Sequence, residues 1–128
     1  MASWVNRDAK VFPFRDKAMK LGHIPSQLAV RETVAASLQN GASLRQIASQ
    51  LGFSTRSFQR YLAANGTCHS EIVAEVRLAT ACHLLTETDE KISRIALLLG
   101  YAGATSFSRS FRHLMKIQPA SYRRQQRK

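Results

Sequence analysis

Acidic residues run out at Glu90: the last 38 residues, from Lys91 onward, hold nine Lys or Arg and neither Asp nor Glu. A second stretch, Thr33 to Ser70, also lacks acids while carrying Arg45, Arg56 and Arg60. Over the 128 residues, 19 bases face 8 acids, a formal charge of +11. A chain so short of one sign suits a polyanionic partner, with nucleic acid ahead of acidic lipid. Long apolar runs are missing too. No stretch approaches the roughly 18 residues of a bilayer span, and the opening "MASWVNRDAK" has no apolar signal-peptide core. The expectation is a cytoplasmic protein with no membrane partner. Cysteine is scarce: Cys68 and Cys82 make no disulfide framework and are expected as reduced thiols. Only six Gly and three Pro, beside 45% hydrophobic residues, exclude a disordered or fibrous chain and favour a globular, mainly helical one.

Catalytic and metal-binding patterns are absent as well. His23, His69, His83 and His113 are scattered, no acid stands near His113, and neither a serine nucleophile elbow nor a phosphate-cradling glycine loop occurs. No catalytic residue and no cofactor is assigned, and an enzyme is not expected. The pairs Cys68-His69 and Cys82-His83 invite a zinc reading. On one continuous helix, however, they stand about 21 Å apart along the axis, whereas zinc holds its ligands at about 2.3 Å. No metal site is assigned, and structural or surface roles are expected for all four.

What is present reads as helices. Residues 1–25 mix Trp4, Phe12 and Phe14 with charges and two prolines, Pro13 and Pro25, and read as an arm or linker with one helical turn near Asp16 to Leu21 stopped by Gly22. Ser26 opens "SQLAVRETVAASLQNG", where Leu28, Val34 and Leu38 recur at near-helical spacing until Gly41. Ser43 with Gln46 three residues on is a capping-box signature for "SLRQIASQLG", ended by Gly52. Ser54 opens "TRSFQRYLAANG", ended by Gly66. From Thr67 to Glu87, Ile72, Val76, Ala79, Leu84 and Leu85 mark a long helix uninterrupted by Gly or Pro. Asp89 and Glu90 precede "KISRIALLLG", closed by Gly100; "ATSFSRSFRHLMK" follows, and Pro119 starts "PASYRRQQ". The expected fold is all-α: seven helices in the order three, one long, three.

The order reflects a repeat. "IASQLGFSTRSFQRYL", from Ile47 to Leu62, returns as "IALLLGYAGATSFSRSF", from Ile95 to Phe111, with one residue inserted. Each copy has an apolar-faced helix, a glycine, an aromatic (Phe53, Tyr101), and a small polar or glycine stretch into a second helix. That is the helix-turn-helix arrangement, which presents its second helix to the DNA major groove. Ile47, Leu51, Phe58 and Leu62, with Ile95, Leu99, Phe107 and Phe111, are expected to hold each pair of helices together. On the second helices Arg56, Gln59 and Arg60 share one side, as residues three and four apart do. Arginine pairs with guanine N7 and O6, and glutamine with adenine N6 and N7. In the second copy Ala104, Thr105, Ser108, Arg109 and Arg112 surround the two phenylalanines. Ser54, Ser57, Thr105, Ser106 and Ser108 allow close approach and can bond phosphates, and Arg112 is expected on phosphate. Neither face contains an acid, although solvated helix faces usually mix signs.

Two copies match DNA geometry. Major-groove faces on one side of the duplex recur about every 34 Å, and a connecting helix of about eighteen residues spans roughly 27 Å. Double-stranded DNA is therefore the expected partner, and one chain is expected to read two neighbouring half-sites. A sequence-neutral architectural protein would need the charge but not Gln59 or two different reading faces.

These residues resemble a known family. "IALLLGYAGATSFSRSFRHLMKIQPASYRR" is similar to the signature of the DNA-binding domain of the AraC/XylS transcription regulators, and "LGFSTRSFQRYLAANGT…EVRLATACHLL" looks like its first half. The resemblance covers about Ser26 to Arg124. It implies a homeodomain-like double helix-turn-helix fold and sequence-specific promoter binding, usually as an activator that contacts RNA polymerase. By position it puts Arg56, Gln59 and Arg60 on the first base-reading helix and Thr105, Ser108 and Arg109 on the second. The boundaries expected are an arm at 1–25, the DNA-binding domain at 26–125 and a basic tail at 126–128. Within the domain the helix-turn-helix units fall at about 43–65 and 91–115 and the linker helix at about 68–87.

Three positions depart from the family pattern. Lys91 stands where Ser or Thr often caps the fifth helix, so that start is expected frayed or capped by Asp89. Lys116 stands at a family glycine and must take a left-handed conformation or end the helix differently. Gln118 replaces the Ser or Thr before the last proline. Many relatives also place an effector-binding domain before the DNA-binding part, whereas about 25 residues precede Ser26. Either the chain is a free-standing regulator controlled by abundance, or a DNA-binding portion of a longer protein; "LAANGTCHSEIVAEVR" tips the expectation toward the second.

Overall fold

The computed structural model describes residues 26–127. Seven α-helices and no strand occur among them: α1 Gln27–Ser37, α2 Leu44–Gln50, α3 Thr55–Ala64, α4 His69–Glu87, α5 Ile92–Leu98, α6 Ala104–Met115 and α7 Pro119–Gln126, with a 3₁₀ turn, Leu38–Asn40, after α1. The all-α order of three helices, one long helix and three more is the one expected. The expected N-terminal arm, with Trp4, Phe12, Phe14 and His23, lies outside the described residues, as does Lys128.

The described chain divides into two compact units, and α4 contributes to both. The first takes residues 26–37 and 42–74. Its core is Val30, Val34, Ile47, Ala48, Phe58, Tyr61, Leu62 and Ile72. Phe53 lies against Phe58 and Tyr61 with ring centres 5.4 and 5.3 Å apart. Leu28, expected on the buried side of α1, is instead exposed, and Val30 takes its place. Val30 stands one turn before Val34, whereas Leu28 stands six positions before Val34 and is turned to another side.

Residues 38–41 and 75–127 form the second unit. Leu38, Ala81, Leu85, Ile95, Ala96, Leu99, Phe107 and Phe111 are buried in it. Phe111 packs edge-on to Phe107 and to Tyr122 at 5.7 and 5.4 Å. A hydrogen bond with the Cys82 thiol, helped by burial, pushes the Tyr122 phenol up to about 12. Of the eight residues expected to hold the repeats together, Leu51 alone is only half-buried.

Helix ends leave carbonyls without intrahelical partners, and here arginines take them. At the C-terminus of α4, Arg123 of α7 donates from Nε to the Leu85 carbonyl at 2.9 Å and from Nη2 to the Thr88 and Leu84 carbonyls at 3.1 and 3.5 Å. Arg127 adds Thr86 at 3.3 Å and Thr88 at 3.2 Å, and its Nη2 lies 2.8 Å from the Asp89 carboxylate. Arg77 of α4 does the same for α5, donating to the Leu99 carbonyl at 3.0 Å with its guanidinium 5.2 Å from the Tyr101 ring centre. Positive charge at a helix C-terminus also complements the helix dipole. These three arginines belong to the basic surplus but are tied to backbone, and Arg127, expected in a basic tail, is one of them.

Asp89, paired with Arg127, does not cap α5; that helix starts at Lys91 with no side-chain cap. Removing Arg123 leaves the Leu85 carbonyl to water or unsatisfied, while the Thr88 carbonyl keeps Arg127 and the Leu84 carbonyl keeps the Thr88 amide and hydroxyl. Arg123→Ala is expected to lower unfolding stability by about 2 kcal/mol in urea titration. Arg124→Ala, whose guanidinium reaches the Ser121 hydroxyl, should stay within about 0.5 kcal/mol of the parent.

At the other end of α4, Cys68 is exposed, and the Ser70 hydroxyl and the Glu71 backbone amide lower its thiol below the usual value. His69 bonds through Nε2 to the Ala42 carbonyl at 2.8 Å, a structural role. Neither cysteine is in a disulfide.

Candidate nucleic-acid interface

The two repeats build the same turn. Gly52 and Gly100 adopt φ of 82° and 91°, a region that favours glycine because it has no Cβ. The next residue then turns back to the first helix: the Phe53 amide donates to the Ala48 carbonyl at 2.8 Å, and the Tyr101 amide to the Ala96 carbonyl at 2.9 Å. The inserted residue falls inside the turn. Ser54, the N-cap of α3, follows Gly52 by two positions, whereas Gly103, the N-cap of α6, follows Gly100 by three. The Tyr101 hydroxyl donates to the Ser110 Oγ at 3.1 Å and ties the turn to α6.

On α3, Phe58, Tyr61 and Leu62 face inward. Thr55, Arg56, Ser57, Gln59 and Arg60 are all exposed, and the expected readers Arg56, Gln59 and Arg60 share one side. Ser54 accepts a bond from the Ser57 amide at 3.1 Å; its hydroxyl proton stays available to a phosphate. On α6, Phe107 and Phe111 face inward. Thr105, Ser108 and Arg109 line one open groove of about 810 Å³ together with Arg112, His113 and Lys116. No acid lines it. Ser106, expected on phosphate, is not among these residues. Its hydroxyl donates to the Gly103 carbonyl at 3.1 Å, which uses the proton a phosphate oxygen would need.

The groove gains residues that the sequence reading left out: His113, Lys116 and Gln118. The signal was present, since Arg109, Arg112, His113 and Lys116 follow the i, i+3, i+4, i+7 spacing of one helix face. Lys116 ends α6 in the left-handed conformation, φ 64° and ψ 23°, with its amide on the Arg112 carbonyl. That is the first of the two outcomes expected for it. Gln118 is the N-cap of α7 without a side-chain cap bond, and Pro119 follows at the helix start. Among the described residues, no ion pair or side-chain hydrogen bond holds Arg56, Arg60, Arg109, Arg112 or Lys116.

Two glycine turns, each leading into a helix with a basic, acid-free outer side, define a helix-turn-helix protein of the DNA-binding class. The chain matches the helix-turn-helix domain family over residues 47–125. It is 35% identical over 94 residues to the ornithine utilization regulator of Pseudomonas aeruginosa, a match covering 73% of this chain and 28% of that protein. To the HTH-type transcriptional regulator VirS of Mycobacterium tuberculosis it is 34% identical over 113 residues, covering 84% and 33%. A solved transcriptional regulator from Chromobacterium violaceum, described by its AraC-type DNA-binding domain, is 30% identical with a TM-score of 0.65, covering 76% of this chain and 88% of that one. The DNA-binding domain of AdpA, solved with a target DNA, shares the fold at 23% identity and a TM-score of 0.56, covering 73% and 88%. The chain belongs to the AraC-type helix-turn-helix family of DNA-binding proteins, and the relatives named above are transcriptional regulators, not enzymes. It spans 28% and 33% of the length of the first two curated relatives. Among the described residues no helix is long and apolar enough to cross a membrane.

Proposed function

We propose that this chain reads specific promoter sequences with α3 and α6, each entering its own stretch of major groove, and that it acts as an activator. One observation carries the reading. Both units present, behind the same glycine turn, an exposed helix side with arginines and no acid. Arg56, Gln59 and Arg60 are assigned to bases in one stretch and Thr105, Ser108 and Arg109 to bases in the other. Ser54, Ser57 and Arg112 are assigned to phosphates. Residues 26–125 form the DNA-reading domain in this proposal. RNA polymerase is the proposed protein partner and the cytoplasm the proposed location. An effector-binding domain is the second proposed partner, because the chain matches 28% and 33% of the length of two regulators like it.

The test is selection of preferred sites from a random duplex pool, followed by affinity for the preferred and a random duplex at fixed salt. Specific regulators bind their sites typically about 10³-fold or more above random DNA. Footprinting should show two protected stretches about one helical turn apart. A specificity ratio near one, or an even footprint, replaces this function with sequence-neutral architectural binding.

A further inference from the structure

We propose that Lys116 is a phosphate-gripping residue of the second unit, set at the far end of the α6 groove by a backbone conformation that lysine seldom adopts. The inference rests on the DNA-reading function proposed above and adds to it a contact beyond the base-reading residues.

Three observations converge. Lys116 has φ 64°, a region unfavourable for any residue with a Cβ and one where glycine is the usual occupant. Strained backbone of this kind concentrates where a side chain is needed in a set place. Lys116 lines the same open groove as Arg109, Arg112 and His113, where no acid competes for it. Its position along the helix matters most. A recognition helix offers its N-terminal residues to the bases, here Thr105, Ser108 and Arg109. Lys116 stands eleven residues beyond Thr105, about 16 Å along the axis, and the major groove is only about 12 Å wide. With Thr105 among the bases and α6 entering the groove by its N-terminal end, the proposal puts Lys116, at the other end of the helix, on the sugar-phosphate wall. The left-handed residue also ends α6 there, and Gln118, whose side chain makes no cap bond, lines the same groove.

The test compares the whole chain with Lys116→Gly, Lys116→Ala and Lys116→Arg, on a selected site and on a random duplex, across a salt series. Lys116→Gly relieves the backbone, so its melting midpoint should rise, yet affinity should fall about 3- to 10-fold on both duplexes. The slope of log affinity against log salt should shrink by about one, as for one lost phosphate contact. Lys116→Ala should lose the same affinity and slope without the gain in melting, and Lys116→Arg should keep both. Unchanged affinity and slope in Lys116→Gly would overturn the inference and leave Lys116 as a helix terminus. A loss confined to the selected site would also overturn it, by making Lys116 a base reader. If the unaltered chain bound neither duplex, the DNA-reading function itself would fall, a result distinct from either.

Discussion

Gly100→Ala is expected to cost about 3 kcal/mol of folding stability, the largest loss for a single added methyl among Gly41, Gly66, Gly100 and Gly103. Two penalties combine. An alanine at φ 91° leaves the region that L-residues populate, worth about 1 kcal/mol. The new Cβ would also collide with the carbonyl oxygen of Leu38 and stand 3.4 Å from its carbonyl carbon and 3.7 Å from Arg77 Nη2. Leu38 is buried, so its backbone has little room to withdraw, and forced overlap in a packed site adds about 2 kcal/mol. Two other glycines separate the penalties. Gly66 has φ 74° but open space where a Cβ would go, so Gly66→Ala should cost only about 1 kcal/mol. Gly103 is extended, with nothing near it, so Gly103→Ala should show only the poorer N-cap preference of alanine, about 0.5 to 1 kcal/mol. Urea midpoints for the three variants give the order directly. Equal losses for Gly100→Ala and Gly66→Ala would mean that the Leu38 turn yields freely.

That collision also marks where sequence reading stops. The glycine turn is legible because its cause is local: a residue without Cβ followed at once by an aromatic, twice over. The caps by Ser43 and Ser54 are legible for the same reason, each oxygen accepting from the amide three residues on at 3.1 Å. Nothing in the order of residues says that the carbonyl of Leu38 would close on Gly100, because that contact joins segments far apart in the chain. The arginines make the same point. Arg77, Arg123 and Arg127 bond backbone carbonyls between 22 and 41 residues away. A carbonyl has no side-chain identity for a motif to catch, so composition credits these charges to the DNA face when they hold helix ends. Ser106 is a case of another kind. A serine in the first turn of a helix can turn its hydroxyl to solvent or to its own backbone, and the choice depends on geometry. Conversely, the face formed by Arg109, Arg112, His113 and Lys116 follows from spacing alone, and stopping at Arg112 cut it short.

Replacing Arg60 and Arg109 together by alanine is expected to lower affinity for the preferred site by about 4 kcal/mol, roughly a thousandfold. Each arginine, if bidentate to a guanine, contributes about 1 to 3 kcal/mol of discrimination. The two lie in separate compact units and share no partner, so their losses should add. The gap between specific and random binding is typically about 4 to 10 kcal/mol, so the double variant should surrender much of its selectivity while keeping most of its hold on random DNA. Titrations of both duplexes at one fixed salt concentration measure this. The single variants then say which half of the site each unit reads: Arg60→Ala should relax base choice at one position in one protected stretch, and Arg109→Ala at one position in the other. If either single variant weakens every sequence alike, that arginine grips phosphate, and the reading passes to the neighbours Gln59 or Ser108. If the double variant loses no more than the worse single, only one unit engages DNA at a time. The duplicated turn would then serve something other than simultaneous reading of two neighbouring stretches.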